Sequence, residues 1–317
     1  MLFNSFNAKE RNLKKIEKLV NKEQYNSASE FIEKLIESEP QEMDYYFKAA
    51  DIYHFLRKYS KVCDVLKKFL RRSPKHKSDV IQKIKDLLYD AGNESVFEYE
   101  NFIWTLLISI KDFKELKRNI KTANENNIDK GIGFYTDLIK SGDKVFNEEA
   151  GYGRKEIAYH YILAFLYAAQ REYKEVFRVF TKLSERAASE ILYIIKELEE
   201  LSAYYSSDEL LFTLLELFLK RDMFSDAYKY FPKLIQQTSE FDESLDEFLK
   251  DKTAIATSDK YYLLLMQTKI KARLEQIDSS IELMKELLTI SNEKETKEYC
   301  IDMLYEIIRV SDEKDKA

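Results

Sequence analysis

Glycine and proline are scarce, at six and three in 317 residues. That is too few for the turns of a β-sandwich or the phosphate loops of a doubly wound sheet. Two cysteines, Cys63 and Cys300, stand too far apart for a zinc or redox spacing and make no disulfide framework. The three histidines, His54, His76 and His160, are dispersed; His54 and His160 fall on predicted helices with no Cys or His at ligand spacing, which points to helix surface or groove lining. Gly131-Ile132-Gly133 and Gly151-Tyr152-Gly153 lack the third glycine and the preceding strand of a dinucleotide fingerprint, and no P-loop, HExxH, nucleophile elbow or calcium loop occurs. No catalytic residue, metal site or cofactor is therefore assigned. No uncharged apolar run reaches the roughly 20 residues of a membrane helix; the richest, Leu210 to Leu219, contains Glu216. Met1 to Arg11 has no basic segment followed by an apolar core, so cytoplasmic residence without membrane insertion is expected.

What is abundant is charge and aromatic area. The 51 basic and 57 acidic residues are interspersed for a net −6, a balance that does not favour a polyanion partner. Twenty Phe and 22 Tyr are many for so charged a chain, and stacked helical layers would use them. Tyr25 and Tyr59 lie 34 residues apart, as do Pro40 and Pro74, which is the period of a helix-turn-helix unit. Tyr46, Ala49, Ala50 and Tyr53 occupy one helix face at i, i+3, i+4 and i+7. Val62, Leu66, Phe69 and Leu70 form the apolar face of the next helix, which stops at Ser73-Pro74.

The run Tyr46, Ala49-Ala50, Tyr53, Tyr59, Val62, Leu66, Pro74 resembles the tetratricopeptide repeat (TPR) family. Leu19, Tyr25, Ala28, Ile32, Leu35 and Pro40 keep the same register, as do Leu163-Ala164, Tyr167, Tyr173, Val176, Phe180 and Leu183; Leu214, Phe218, Phe224, Ala227, Phe231 and Leu234 follow it more loosely. The resemblance implies an all-α fold, a right-handed α-solenoid of stacked helix-turn-helix repeats, partly degenerate, with extra and capping helices. Degenerate hairpins are expected near Asp79 to Ala91, Glu98 to Ile110 and Lys114 to Ala123, an extra helix near Ser189 to Ala203, and a closing helix from Lys294 to Arg309 that covers the exposed end. Five glycines between Gly131 and Gly153 divide the reading into N-terminal repeats (1–130), a glycine-containing connection or hinge (131–153) and C-terminal repeats with a capping helix (154–317).

In proteins of this family the first helix of each unit lines a concave groove. The resemblance thus implies a partner-binding surface including Phe47, Asp51 and Phe55, then Tyr161 and Phe165, then Phe212, unless further helices cover them. Leu13 and Glu17, with Phe47 and Asp51, occupy the places where a specialised form of the family grips a chaperone's terminal carboxylate. Acids there would repel it, so an apolar or amphipathic segment is the expected ligand. Lys67, Lys68, Arg71, Arg72, Lys75 and Lys77 make a basic patch, read as solvated cover at a helix end or as a phosphate contact. The expected role is a non-enzymatic adaptor or scaffold binding another protein or peptide. A peptide-responsive regulator is the alternative, nucleic-acid association ranks third, and the oligomeric state is open.

Overall fold

A computed structural model describes residues 2–91, 96–141, 153–255, 260–291 and 293–314, and every regular element among them is helical. Two compact units divide at Glu172/Tyr173. The first holds α1 (Leu2–Val20), α2 (Tyr25–Ser38), α3 (Met43–Phe55), α4 (Tyr59–Arg72), α5 (Lys77–Asp90), α6 (Phe97–Ser109), α7 (Phe113–Lys121), α8 (Glu125–Ser141) and α9 (Gly153–Ala169). The second holds α10 (Tyr173–Arg186), α11 (Ile191–Leu201), α12 (Asp208–Lys220), α13 (Phe224–Gln237), α14 (Asp242–Ile255), α15 (Lys260–Arg273), α16 (Ile277–Ile290) and α17 (Lys294–Lys314). The stacked helix-turn-helix architecture that the TPR resemblance implies is the one the chain adopts.

One turn recurs six times. Glu23, Arg57, Lys111, Arg171, Asp222 and Glu275 all sit at φ between 54° and 62°, in the left-handed region. The next N–H in each case reaches back five residues to a helix carbonyl: Gln24 to Leu19, Lys58 to Tyr53, Asp112 to Leu107, Glu172 to Tyr167, Met223 to Phe218 and Gln276 to Lys271, at 2.8–3.0 Å. This is the Schellman closure, which satisfies orphan carbonyls at a helix end and is usually built on glycine. Here charged side chains occupy the position, each at a cost of about 1 kcal/mol.

The second helix starts two residues after each left-handed residue, at Tyr25, Tyr59, Phe113, Tyr173, Phe224 and Ile277. Three residues on come Ala28, Val62, Leu116, Val176, Ala227 and Ser280; seven on come Ile32, Leu66, Ile120, Phe180, Phe231 and Met284, and all twelve are buried. The spacing between these starts shows where the 34-residue period is interrupted. It is 34 residues only once, and thereafter 54, 60, 51 and 53. The added length holds a third helix after each hairpin from the second to the fifth, α5, α8, α11 and α14, and α17 follows the sixth. The degenerate hairpins expected near Asp79, Glu98 and Lys114 are each a single helix, α5, α6 and α7, of which α6 and α7 form one hairpin around the Lys111 turn; the extra helix expected near Ser189 is α11.

The glycine segment begins as helix. Gly131 and Gly133 lie inside α8, while residues 142–152 lie outside the described residues. A Cβ on Gly131 would stand 3.0 Å from both Trp104 Cζ3 and Leu166 Cδ1, so the missing side chain lets α8 close against α6 and α9. Trp104 cannot retreat freely, being buried with its indole N–H donated to Asn119 Oδ1 at 3.0 Å. Gly133 faces open space. Substitution by alanine should therefore act with opposite signs in denaturant melts. Gly131→Ala is expected to lose about 1 kcal/mol through overpacking, and Gly133→Ala to gain about 0.5–1 kcal/mol through helix propensity. Equal gains at both sites would show that Gly131 is not a packing residue.

Candidate functional site

The first unit contains a cavity of ≈ 820 Å³ lined by α1, α3 and α5 together with Arg57 and Tyr59 at the α3–α4 turn. Its floor is apolar, since Ile16, Ile52 and Leu87 point into it from three helices and are otherwise buried. The rim carries both signs of charge. Asp51 is ion-paired with Lys83 of α5, and Glu17 of α1 lies 4.0 Å from Lys48 of α3; Asp90 and Arg57 complete the rim.

An aromatic ladder borders the same cavity. Phe55 stacks on Tyr25 with ring centroids 5.7 Å apart, and the next ring along α3, His54, lies 6.3 Å from Phe55. His54 in turn stacks on Tyr99 of α6 at 5.9 Å, and its Nδ1 lies 2.9 Å from the Tyr99 hydroxyl. Tyr59 closes the cluster edge-on to Tyr99 at 5.4 Å. Burial holds the Tyr99 phenol well above its ordinary range, so it remains a neutral O–H. Phe55 is the open end of this ladder, with 60% of its surface exposed. A stacked yet exposed ring offers a rigid apolar anchor at small entropic cost.

Of the groove residues expected from sequence, Asp51 and Phe55 line this cavity. Phe47 does not; it is half-buried and meets Phe69 of α4 edge-on at 6.3 Å. Tyr161 and Phe165 require correction, because both are buried. Phe113, the first residue of α7, packs edge-on to Tyr161 at 5.2 Å, and Lys117 Nζ sits 5.2 Å over the Phe165 ring. Helix α7 thus covers the face that the family pattern would leave open. Phe212 is half-buried and stacked on Phe241, next to the start of α14, at 4.4 Å. The residues that sequence reasoning missed include Lys48, Arg57 and Asp90, which line the cavity, and Lys83, which reaches Asp51 from α5.

The basic patch lies along α4, the one-turn 3₁₀ helix Pro74–His76 and the start of α5. Arg72 donates to the Tyr46 hydroxyl at 3.2 Å, and Lys67 sits 5.3 Å over the Phe102 ring. Two of its cations therefore brace neighbouring helices. Lys68, Arg71 and Lys75 are exposed and Lys77 is half-buried. Cys63 is buried, with its Sγ 3.5 Å from the Glu98 carbonyl oxygen, and burial pushes the thiol up to about 12, so it stays protonated at neutral pH. Among the described residues no group of three or more His, Cys, Asp and Glu is placed to hold a metal ion, and no helix is long and apolar enough to cross a membrane.

No family model and no curated protein matches the chain. It is similar to solved structures that include the TPR domain of P58(IPK), at 12% identity and TM-score 0.22, covering 95% of this chain and 98% of that one. A tetratricopeptide repeat protein from Parabacteroides merdae matches at 15% identity and TM-score 0.21, covering 93% and 98%. Pseudomonas aeruginosa PilF matches at 10% identity and TM-score 0.17, also covering 93% and 98%. Likeness this loose carries no weight for function.

Burial of the α9 aromatics has a measurable consequence. Tyr161→Ala and Phe165→Ala should each cost about 3 to 5 kcal/mol of folding stability. Melts unchanged within about 0.5 kcal/mol would return both side chains to an exposed surface.

Proposed function

We propose that the chain is a non-enzymatic interaction module, an adaptor or scaffold that holds an amphipathic segment of another protein in the groove formed by α1, α3 and α5. One observation carries the reading: an ≈ 820 Å³ cavity with an apolar floor has a stacked, 60% exposed Phe55 at its edge and ion pairs of both signs on its rim. The floor and Phe55 would take the apolar face of the segment, and the rim charges would fix its register. Acids at Glu17 and Asp51, each already facing a lysine, leave no net positive pocket for a terminal carboxylate. The groove therefore favours the body of a segment over its C-terminal end.

Selection from a displayed peptide library on the immobilised chain tests this reading. Amphipathic segments should be enriched, and Phe55→Ala should weaken them by at least about tenfold, as expected for loss of an aromatic anchor. Folding stability should change by less than about 1 kcal/mol, because the ring is largely exposed and only its contacts with Tyr25 and His54 are lost. Equal binding by the variant would place the interaction elsewhere, and enrichment of no segment would remove the groove as a peptide site.

A further inference from the structure

The groove of the first unit opens where its walls end. Val20, Phe55 and Asp90 are the last residues of α1, α3 and α5, and all three line the cavity. A helix C-terminus carries about half a negative charge, so three such ends make the groove electronegative where they meet it. Asp90 adds a full charge there. A carboxylate in the last turn opposes its own helix dipole, α5 has no basic residue in that turn, and Asp90 has no ion-pair partner among the described residues. That charge is a cost to the fold, which a bound cation would remove.

The rest of the lining agrees in sign. Asp51 is held by Lys83 and Glu17 faces Lys48 at 4.0 Å, while Arg57, the remaining cation of the lining, is engaged in interactions of its own. Phe55 is stacked on Tyr25 through one face and is 60% exposed, and the Tyr59 ring also lines the cavity. Ring faces are electron-rich and attract ammonium and guanidinium groups. We propose, on the reading that the groove holds a peptide, that its ligand is a basic amphipathic segment with a lysine or arginine side chain seated at the mouth formed by Phe55 and Asp90.

Three labelled helical peptides that share one leucine face and carry lysine, glutamine or glutamate on the other test the sign, by fluorescence anisotropy at about 0.15 M salt, where long-range attraction is screened. The lysine peptide should bind at least about tenfold tighter than the glutamine peptide, and the glutamate peptide should bind weakest. Asp90→Asn should weaken the lysine peptide by about threefold, leave the glutamine peptide unchanged and leave the thermal melt equal or higher. Asp251→Asn, which removes an equal charge from an exposed site in the second unit, should change none of these. Phe55→Leu keeps an apolar side chain but loses the ring, and should weaken the lysine peptide more than the glutamine peptide. Equal affinity of all three peptides, with binding still lost in Phe55→Ala, overturns the basic preference and leaves the groove as a peptide site. Equal losses for Asp90→Asn and Asp251→Asn overturn the seat assigned to the cation. Binding of none of the three removes the peptide reading of the groove and the cation preference together.

Discussion

The turn after each first helix is the constraint on which the rest of the fold depends. At Glu23, Arg57, Lys111, Arg171, Asp222 and Glu275 a single residue in the left-handed region closes a helix. The Schellman bond that accompanies it reverses the chain within a few residues. Because the geometry repeats, the second helices begin in one register and bury equivalent positions three and seven residues along. The core then forms from Tyr, Phe, Ile and Leu meeting between layers, with Trp104 and Tyr135 among the largest side chains fully enclosed.

The placement of the third helices decides where a groove stays open. Between the first two hairpins none intervenes, so α1 and α3 follow each other at the short spacing and a cavity stays open beside them. Later hairpins are separated by an added helix, and the first-helix faces that might have formed a longer groove are packed. Phe113 and Lys117 of α7 close over Tyr161 and Phe165, and Phe241 stacks on Phe212. Open apolar surface remains at the groove of the first unit, where Phe55 stands exposed.

Hairpins with an aromatic residue just past the turn and apolar residues three and seven positions on were legible in the sequence, as at Tyr25, Tyr59, Tyr173 and Phe224. Phe113 keeps the same pattern through Leu116 and Ile120, on a helix of only nine residues. The turns themselves left no mark, because charged residues hold positions where glycine would have announced them. In the groove, Asp51 and Phe55 could be placed from helix phase alone. The partner of Asp51 could not, since Lys83 lies 32 residues away and meets it only through packing. The α9 aromatics failed for a different reason: every residue from His160 to Leu166 is buried, so the helix has no polar side to show which face is covered.

Denaturant melts of variants at Glu23 and Lys111 test the turn most directly. Both sites are exposed and left-handed, so glycine relieves the steric cost and should raise stability by about 0.5 to 1 kcal/mol at each. Valine, with its branched Cβ, should lower stability by more than about 1 kcal/mol. If glycine destabilised either turn while valine was tolerated, the left-handed closure would not be the element that sets the hairpins.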